Sequence, residues 1–161
     1  MIRKAAVLGA GLMGSQIAAH LANVGIPTLL LDIVPSELTP DEAKKGLTLQ
    51  SKPVRNRFAL GALQKLIAMK PSPVYSKEVL ELVTPGNLED DLARVAEVDL
   101  IIEAVVENLA IKQELWQRVA AHRRPGTIVA SNTSGISISR MTEGTPAEFR
   151  SHFLGAHFFN P

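Results

Sequence analysis

The sequence predicts an α/β fold in which helices cover both faces of a doubly wound, mostly parallel sheet. Three observations lead to it. Short apolar runs recur at residues 5–8, 28–31, 100–104, 127–130 and 154–159, mostly separated by helical patterns, as expected of parallel strands buried on both faces. The first run passes directly into a glycine-rich turn and an amphipathic stretch. Polar residues then gather just beyond the ends of the later runs, where open sheets of this class bind ligands.

The first strand, 5–8, is followed by Gly9-Ala10-Gly11-Leu12-Met13-Gly14. Gly9 permits a tight turn, Gly11 lets the backbone approach a pyrophosphate, and Gly14 lets the next helix pack closely on the sheet. That helix carries Ile17 and Leu21 on one face, and its first turn aims free N–H groups at phosphates. The second strand, 28–31, closes on Asp32, eighteen residues after Gly14. A carboxylate there can accept hydrogen bonds from an adenosine ribose and repels a 2′-phosphate, so NAD is expected rather than NADP. Strand, glycine turn, helix, strand and acid in this order form the Rossmann-type dinucleotide-binding fingerprint. Gly9, Ala10, Gly11, Leu12, Met13, Gly14 and Asp32 are therefore candidate cofactor residues, against the alternative of an ordinary strand-turn-helix with surplus glycines.

About fifty residues separate Asp32 from the next expected strand near 82–84, far more than a usual crossover. A helical pair inserted at about 39–72 is expected there. Thr39-Pro40-Asp41-Glu42 has capping-box spacing with proline at the first helical position, and Thr145-Pro146-Ala147-Glu148 repeats the pattern. From Lys44 to Lys77 eight basic residues occur with no Asp or Glu. They read either as an anion site for a phosphorylated substrate or, favoured by spacing, as a solvated helix face balanced by neighbours in space.

The 100–104 strand leads to a helix with Ile111, Leu115 and Val119 on one face. It ends in His122-Arg123-Arg124 before Pro125-Gly126, cations suited to a helix C-terminus. The chain then reads Ser131-Asn132-Thr133-Ser134 after the 127–130 strand and His157-Phe158-Phe159-Asn160-Pro161 at its end.

Composition narrows the function classes. With 161 residues, 46% of them hydrophobic, the chain can bury one good core and is read as one domain. A net charge of +1 gives no global field toward nucleic acid, and no apolar run approaches a membrane span. Met1-Ile2-Arg3-Lys4 leads straight into the first strand, which leaves no room for a signal peptide. The absence of cysteine excludes disulfides and thiolate catalysis and fits a cytoplasmic protein. Four histidines show no metal-ligand spacing, so no metal is expected.

GxGxMG, the acid after the second strand, Glu103-Ala104-Val105-Val106-Glu107-Asn108 with Lys112, the SNTS segment and HFFNP together resemble the NAD-binding domain of the 3-hydroxyacyl-CoA dehydrogenase family, across almost the whole chain. The wording around these motifs (AAHLANVGIPTLLLDIVP, TPGNLEDD, HFLGAHFFNP) is similar to bacterial fatty-acid β-oxidation proteins that join a dehydrogenase, placed first, to an enoyl-CoA hydratase. The resemblance implies NAD-dependent oxidation of (S)-3-hydroxyacyl-CoA to 3-oxoacyl-CoA, with residues 1–161 as the cofactor domain.

It implies that His157 is the base taking the C3 hydroxyl proton, a role suited to an imidazole. Ser134 would hydrogen-bond the substrate oxygen and approach the cofactor. Glu107 and Lys112 match polar contacts to NAD, Lys112 being alternatively a solvated helix residue, and Asn132 and Asn160 match site-shaping positions. In the family, the carboxylate partner of the histidine and a helical substrate and dimerisation domain follow the HFFNP motif. A homodimer of the full-length protein is implied. The serine that touches CoA in related enzymes is replaced by Gln50 in a loose alignment, and Lys52, Arg55 or Arg57 then become candidates for the CoA phosphates.

Taken without the motif set, His157 among Phe153, Phe158 and Phe159 reads as a buried core histidine, and SNTS as turn chemistry. Two other functions are kept beside the first: an NAD-dependent dehydrogenase of a small non-CoA hydroxy acid, and a non-catalytic NAD-binding module.

Overall fold

In the computed structural model, which describes residues 1–159, six strands form: β1 Ala5–Leu8, β2 Thr28–Asp32, β3 Val83–Asn87, β4 Leu100–Glu103, β5 Ile128–Ser131 and β6 Phe153–Gly155. They make one sheet in the order β3-β2-β1-β4-β5-β6, and every pairing is parallel. The chain winds outward from β1 through β2 to β3, returns to the centre, and winds out the other way. β1 and β4 therefore flank the switch point at which such sheets bind ligands. Their register pairs Leu8 with Glu103, so Gly9 and Ala104 leave the sheet side by side.

Alternation along the strands divides the core. Ala5, Val7, Leu30, Ile102 and Ala130 pack beneath α1 (Leu12–Asn23) and α4 (Arg57–Ala68). Ala6, Leu8, Leu29, Leu31, Ile101 and Val129 face the other way, toward Leu115, Trp116 and Val119 of α5 (Leu109–His122). On that side Trp116 meets Phe153 edge-on at 5.0 Å between ring centroids. Asn108 caps α5 by accepting the Ile111 amide, and the helix stops before Pro125-Gly126, where Gly126 takes φ +82°.

The insertion differs from the expected helical pair. It holds α2 (Pro40–Lys44), α3 (Lys52–Arg55) and α4, followed by a 3-10 segment at Lys77–Leu82. Of these helices α4 alone reaches three turns, because α2 and α3 offer few apolar side chains to bury. The Thr39 capping box forms in full: the Glu42 amide donates to Thr39 Oγ1 and the Thr39 amide to Glu42 Oε2. The second box does not. α7 (Ala147–Ser151) starts after Pro146, the Thr145 hydroxyl donates to the Thr142 carbonyl, and Glu148 is drawn away to Arg123 and the Gly126 amide. α6 (Ile138–Met141) is a further short helix between β5 and α7.

Two strands depart from their expected bounds. β3 runs past 82–84 through Pro85 and Gly86, which an edge strand tolerates because a missing donor there faces no neighbour. β6 pairs only at Phe153–Gly155 although the apolar run extends to 159. After the Ala156 amide donates to Ser131, the Phe158 amide turns to the side chain of Asn132 instead of the sheet. Among the described residues no helix is long and apolar enough to cross a membrane.

Candidate functional site

The glycine turn at the carboxyl end of β1 is shaped by close backbone approach. Gly9 has φ +101°, and a Cβ there would meet the Ala104 carbonyl at 2.7 Å. Gly11, in contrast, has no atom within 4 Å of a built Cβ, so the turn opens outward at that point. Gly11 is also the N-cap of α1 and brings no side-chain acceptor, which leaves the first-turn N–H groups directed into this opening. Leu12 is exposed, Met13 half-buried and Gly14 buried.

Asp32 is fixed beside the turn. Ala10 N–H donates to its Oδ2 at 2.6 Å and Ile33 N–H to its Oδ1 at 2.6 Å. A crevice of about 420 Å³ runs from Gly9, Gly11 and Asp32 to Val105, Ile111 and Arg118. A second of about 440 Å³ joins Gly11 and Asp32 to Arg57 and Lys65 on α4. Open backbone donors, a carboxylate at the ribose distance along the chain and an apolar wall are the groups that would hold a dinucleotide.

On the other side of the switch point, Glu107 gathers the loop after β5. Its Oε1 accepts from the Thr133 hydroxyl at 2.5 Å and from the Ser134 and Gly135 amides at 3.1 Å each, while Oε2 lies 3.1 Å from Lys112 Nζ. Partial burial works to raise the Glu107 pKa, but the Thr133 hydroxyl, the Gly135 amide and the Lys112 charge outweigh it and hold the group at about 2. Glu107 is thus an anion that organises its neighbours.

Ser134 Oγ stands 2.9 Å from His157 Nε2, joining the loop after β5 to the segment after β6. Asn132 Oδ1 accepts the Phe158 amide at 2.7 Å and ties the same two segments together. His157 is exposed, not a core residue, and its ring meets that of Phe159 edge-on at 4.7 Å between centroids. With Ser134 donating, Nε2 is the unprotonated nitrogen that a base requires. Asn160 lies outside the described residues.

Lys112 is not a solvated helix residue: it is 1% exposed, with Nζ 2.8 Å and 3.0 Å from the two oxygens of Glu103. Sequence reasoning gave Glu103 no role, because it reads as the polar end of an apolar strand. The overlooked signal was a carboxylate at a position buried on both sheet faces, nine residues before a lysine on the following helix.

The three basic candidates divide. Arg55 forms a two-pronged pair with Asp90 at 2.6 Å on each prong, which together with Asn87 holds Asp90 at about 2. Arg57 pairs with Glu42 at 2.5 Å and donates to the Glu37 carbonyl. Lys52 has no ion-pair partner among the described residues and lines a cavity of about 440 Å³ with Gln50 and Arg55. Arg55 and Arg57 are thus each balanced by a carboxylate from elsewhere in the chain.

Residues 4–161 match the family model described as the NAD binding domain of 3-hydroxyacyl-CoA dehydrogenase. The chain is 58% identical over 160 residues to a probable 3-hydroxyacyl-CoA dehydrogenase of Bacillus subtilis, covering 99% of this chain and 20% of that protein. It is 42% identical to a protein of the same name from Deinococcus radiodurans, of which it covers 42%. Among solved structures, (S)-3-hydroxybutyryl-CoA dehydrogenase from Ralstonia eutropha superposes with a TM-score of 0.71 at 25% identity, over 99% of this chain and 50% of that one. The chain spans less than half the length of these two curated relatives. The glycine turn, the fixed Asp32 and the Glu107-bound loop thus sit in a chain that belongs to the NAD-binding domain family of the 3-hydroxyacyl-CoA dehydrogenases.

Proposed function

We propose that this chain is the cofactor-binding part of an enzyme that oxidises (S)-3-hydroxyacyl-CoA to 3-oxoacyl-CoA in fatty-acid β-oxidation. The observation that carries this reading is the 2.9 Å approach of Ser134 Oγ to His157 Nε2 at the carboxyl edge of the sheet, beside the Glu107-bound loop. Oxidising a secondary alcohol removes a proton from oxygen and a hydride from carbon. NAD, when bound, accepts the hydride. His157 Nε2 takes the hydroxyl proton, and Ser134 orients the same oxygen by hydrogen bonding.

Gly9, Ala10, Gly11, Leu12, Met13 and Gly14 hold the pyrophosphate, and Asp32 the adenosine ribose. Glu107 and Asn132 shape the nicotinamide end, with Asn160 beside it, and Lys112 acts there through Glu107. Lys52, Arg55 and Arg57 remain the proposed contacts to the CoA phosphates, Lys52 having the free ammonium among them. Substrate and dimerisation regions are supplied, in this reading, by a further part of a cytoplasmic, homodimeric protein.

The test is NADH oxidation with acetoacetyl-CoA by the full-length protein that carries this chain, run beside His157→Gln. Activity that the variant loses while still binding NADH supports the assignment. An inactive wild type that binds NADH, across several acyl lengths, overturns it. A second reading, oxidation of a small hydroxy acid without CoA, is favoured by the engagement of Arg55 and Arg57 with carboxylates. Turnover of 3-hydroxybutyrate in preference to its CoA thioester would select it.

A further inference from the structure

We propose that Glu103 and Lys112 are positioning residues that hold the Ser134–His157 pair in place through Glu107. The proposal rests on the reading of that pair as the proton-transfer site. Lys112 reaches the core from α5 and Glu103 from the end of β4, and both are essentially without solvent exposure. Every oxygen of Glu103 is engaged: Oε1 accepts from Lys112 Nζ at 2.8 Å and the Val105 amide at 2.7 Å, Oε2 from Lys112 Nζ at 3.0 Å and the Ser131 hydroxyl at 2.5 Å. The ammonium is therefore fixed by β4, β5 and the turn between β4 and α5 together.

Its remaining partner is Glu107 Oε2 at 3.1 Å. With one oxygen held from below, the Glu107 carboxylate cannot rotate, and its other oxygen is presented to the Thr133 hydroxyl and the Ser134 and Gly135 amides. Ser134 then stands where its hydroxyl meets His157 Nε2. Buried ion pairs contribute little net stability compared with apolar residues of similar shape, whereas they impose a definite geometry. Glu103 and Lys112 neutralise each other, so the surplus negative charge of the three groups is left on Glu107, facing the loop.

The test uses the full-length protein that carries this chain, without turnover. Amide hydrogen exchange at Ser134 and Gly135 and the ¹⁵N shift of the His157 ring Nε2 are compared in the wild type, Glu107→Gln, and the double variant Glu103→Gln with Lys112→Met. The double variant removes both buried charges at once and leaves neither orphaned. The expected result in both is exchange about tenfold faster at Ser134 and Gly135 and a ring shift moved toward free imidazole, with β1 and β4 amides still protected. Unchanged exchange and ring shift overturn the proposal, as does a uniform loss of protection across the sheet in Glu107→Gln. Should the double variant unfold, Lys112→Arg, which keeps the buried charge but not a single ammonium placed between both carboxylates, decides on the same readouts. These measurements need no substrate, so failure of the dehydrogenase assay and failure of this inference are separate outcomes.

Discussion

A Cβ added to Gly14 would lie 1.8 Å from the carbonyl oxygen of Gly9, so the two ends of the glycine turn are in direct backbone contact. Gly14→Ala must push α1 away from the turn, while Gly11→Ala meets nothing within 4 Å. The first substitution is expected to destabilise the fold by about 1–3 kcal/mol, the range for overpacking a tight site. The second should leave the denaturant midpoint nearly unchanged and weaken NADH binding about tenfold, because the methyl occupies space meant for phosphate. Denaturant melts and NADH titrations of both variants check the pair.

Asp32 stands in a crevice with Arg57 and Lys65. Asp32→Ser removes the repulsion toward a 2′-phosphate and leaves the two cations in position. NADH affinity should fall about tenfold, and the preference for NADH over NADPH should narrow by at least as much. Parallel titrations with the two nucleotides read it, and an unchanged ratio would place the selectivity elsewhere.

Acid should loosen the loop after β5 before it unfolds the sheet. Partial burial opposes the Glu107 anion, but hydrogen bonds from Thr133 and Gly135 and the Lys112 charge bring its pKa down to about 2. A carboxylate with a lowered folded-state pKa contributes its full stabilisation above its ordinary value of 4.5 and loses it as pH falls toward about 2. Protection factors at Ser134 and Gly135, referred to the intrinsic exchange rate at each pH, should therefore fall across that window in the wild type, and this fall should be absent in Glu107→Gln.

Trp116 is the single tryptophan, fully buried, and its indole N–H has no partner among the described residues. Trp116→Phe deletes the unpaired donor together with some volume and should cost only about 1 kcal/mol. Trp116→Ala leaves a cavity against Phe149 and Phe153 and should cost about 3–5 kcal/mol. Thermal melts compare the two.

The parts of the fold governed by local chemistry were legible. Glycine spacing, the apolar runs and the Thr39 box each depend on neighbours in sequence, and each gave the element it implies. The Thr145 segment does start a helix, α7, but without its box, because Arg123 and Gly126, more than twenty residues before Glu148, capture that carboxylate. β3 extends beyond the expected 82–84 through Pro85 and Gly86, residues whose tolerance in a strand depends on a place at the sheet edge that no local pattern reveals. At the site, the motifs named Ser134, His157, Asn132 and Glu107, and the structure brings them together around two loops. What the motifs could not reveal was depth: Lys112 reads as a cofactor contact or a solvated helix residue until the Glu103 carboxylate at the end of β4 is seen to hold its ammonium out of solvent.

The long segment between β2 and β3 enters and leaves at one margin of the sheet, while the crevice lies between β1 and β4 near its middle. Only β2 separates that margin from β1. Residues can therefore be gained or lost in the segment without altering the register of β1 with β4, on which Gly9 and Glu103 depend. The region bearing Lys52, Arg55 and Arg57 can thus change in length while the glycine turn and the β1–β4 edge of the dinucleotide crevice keep their places.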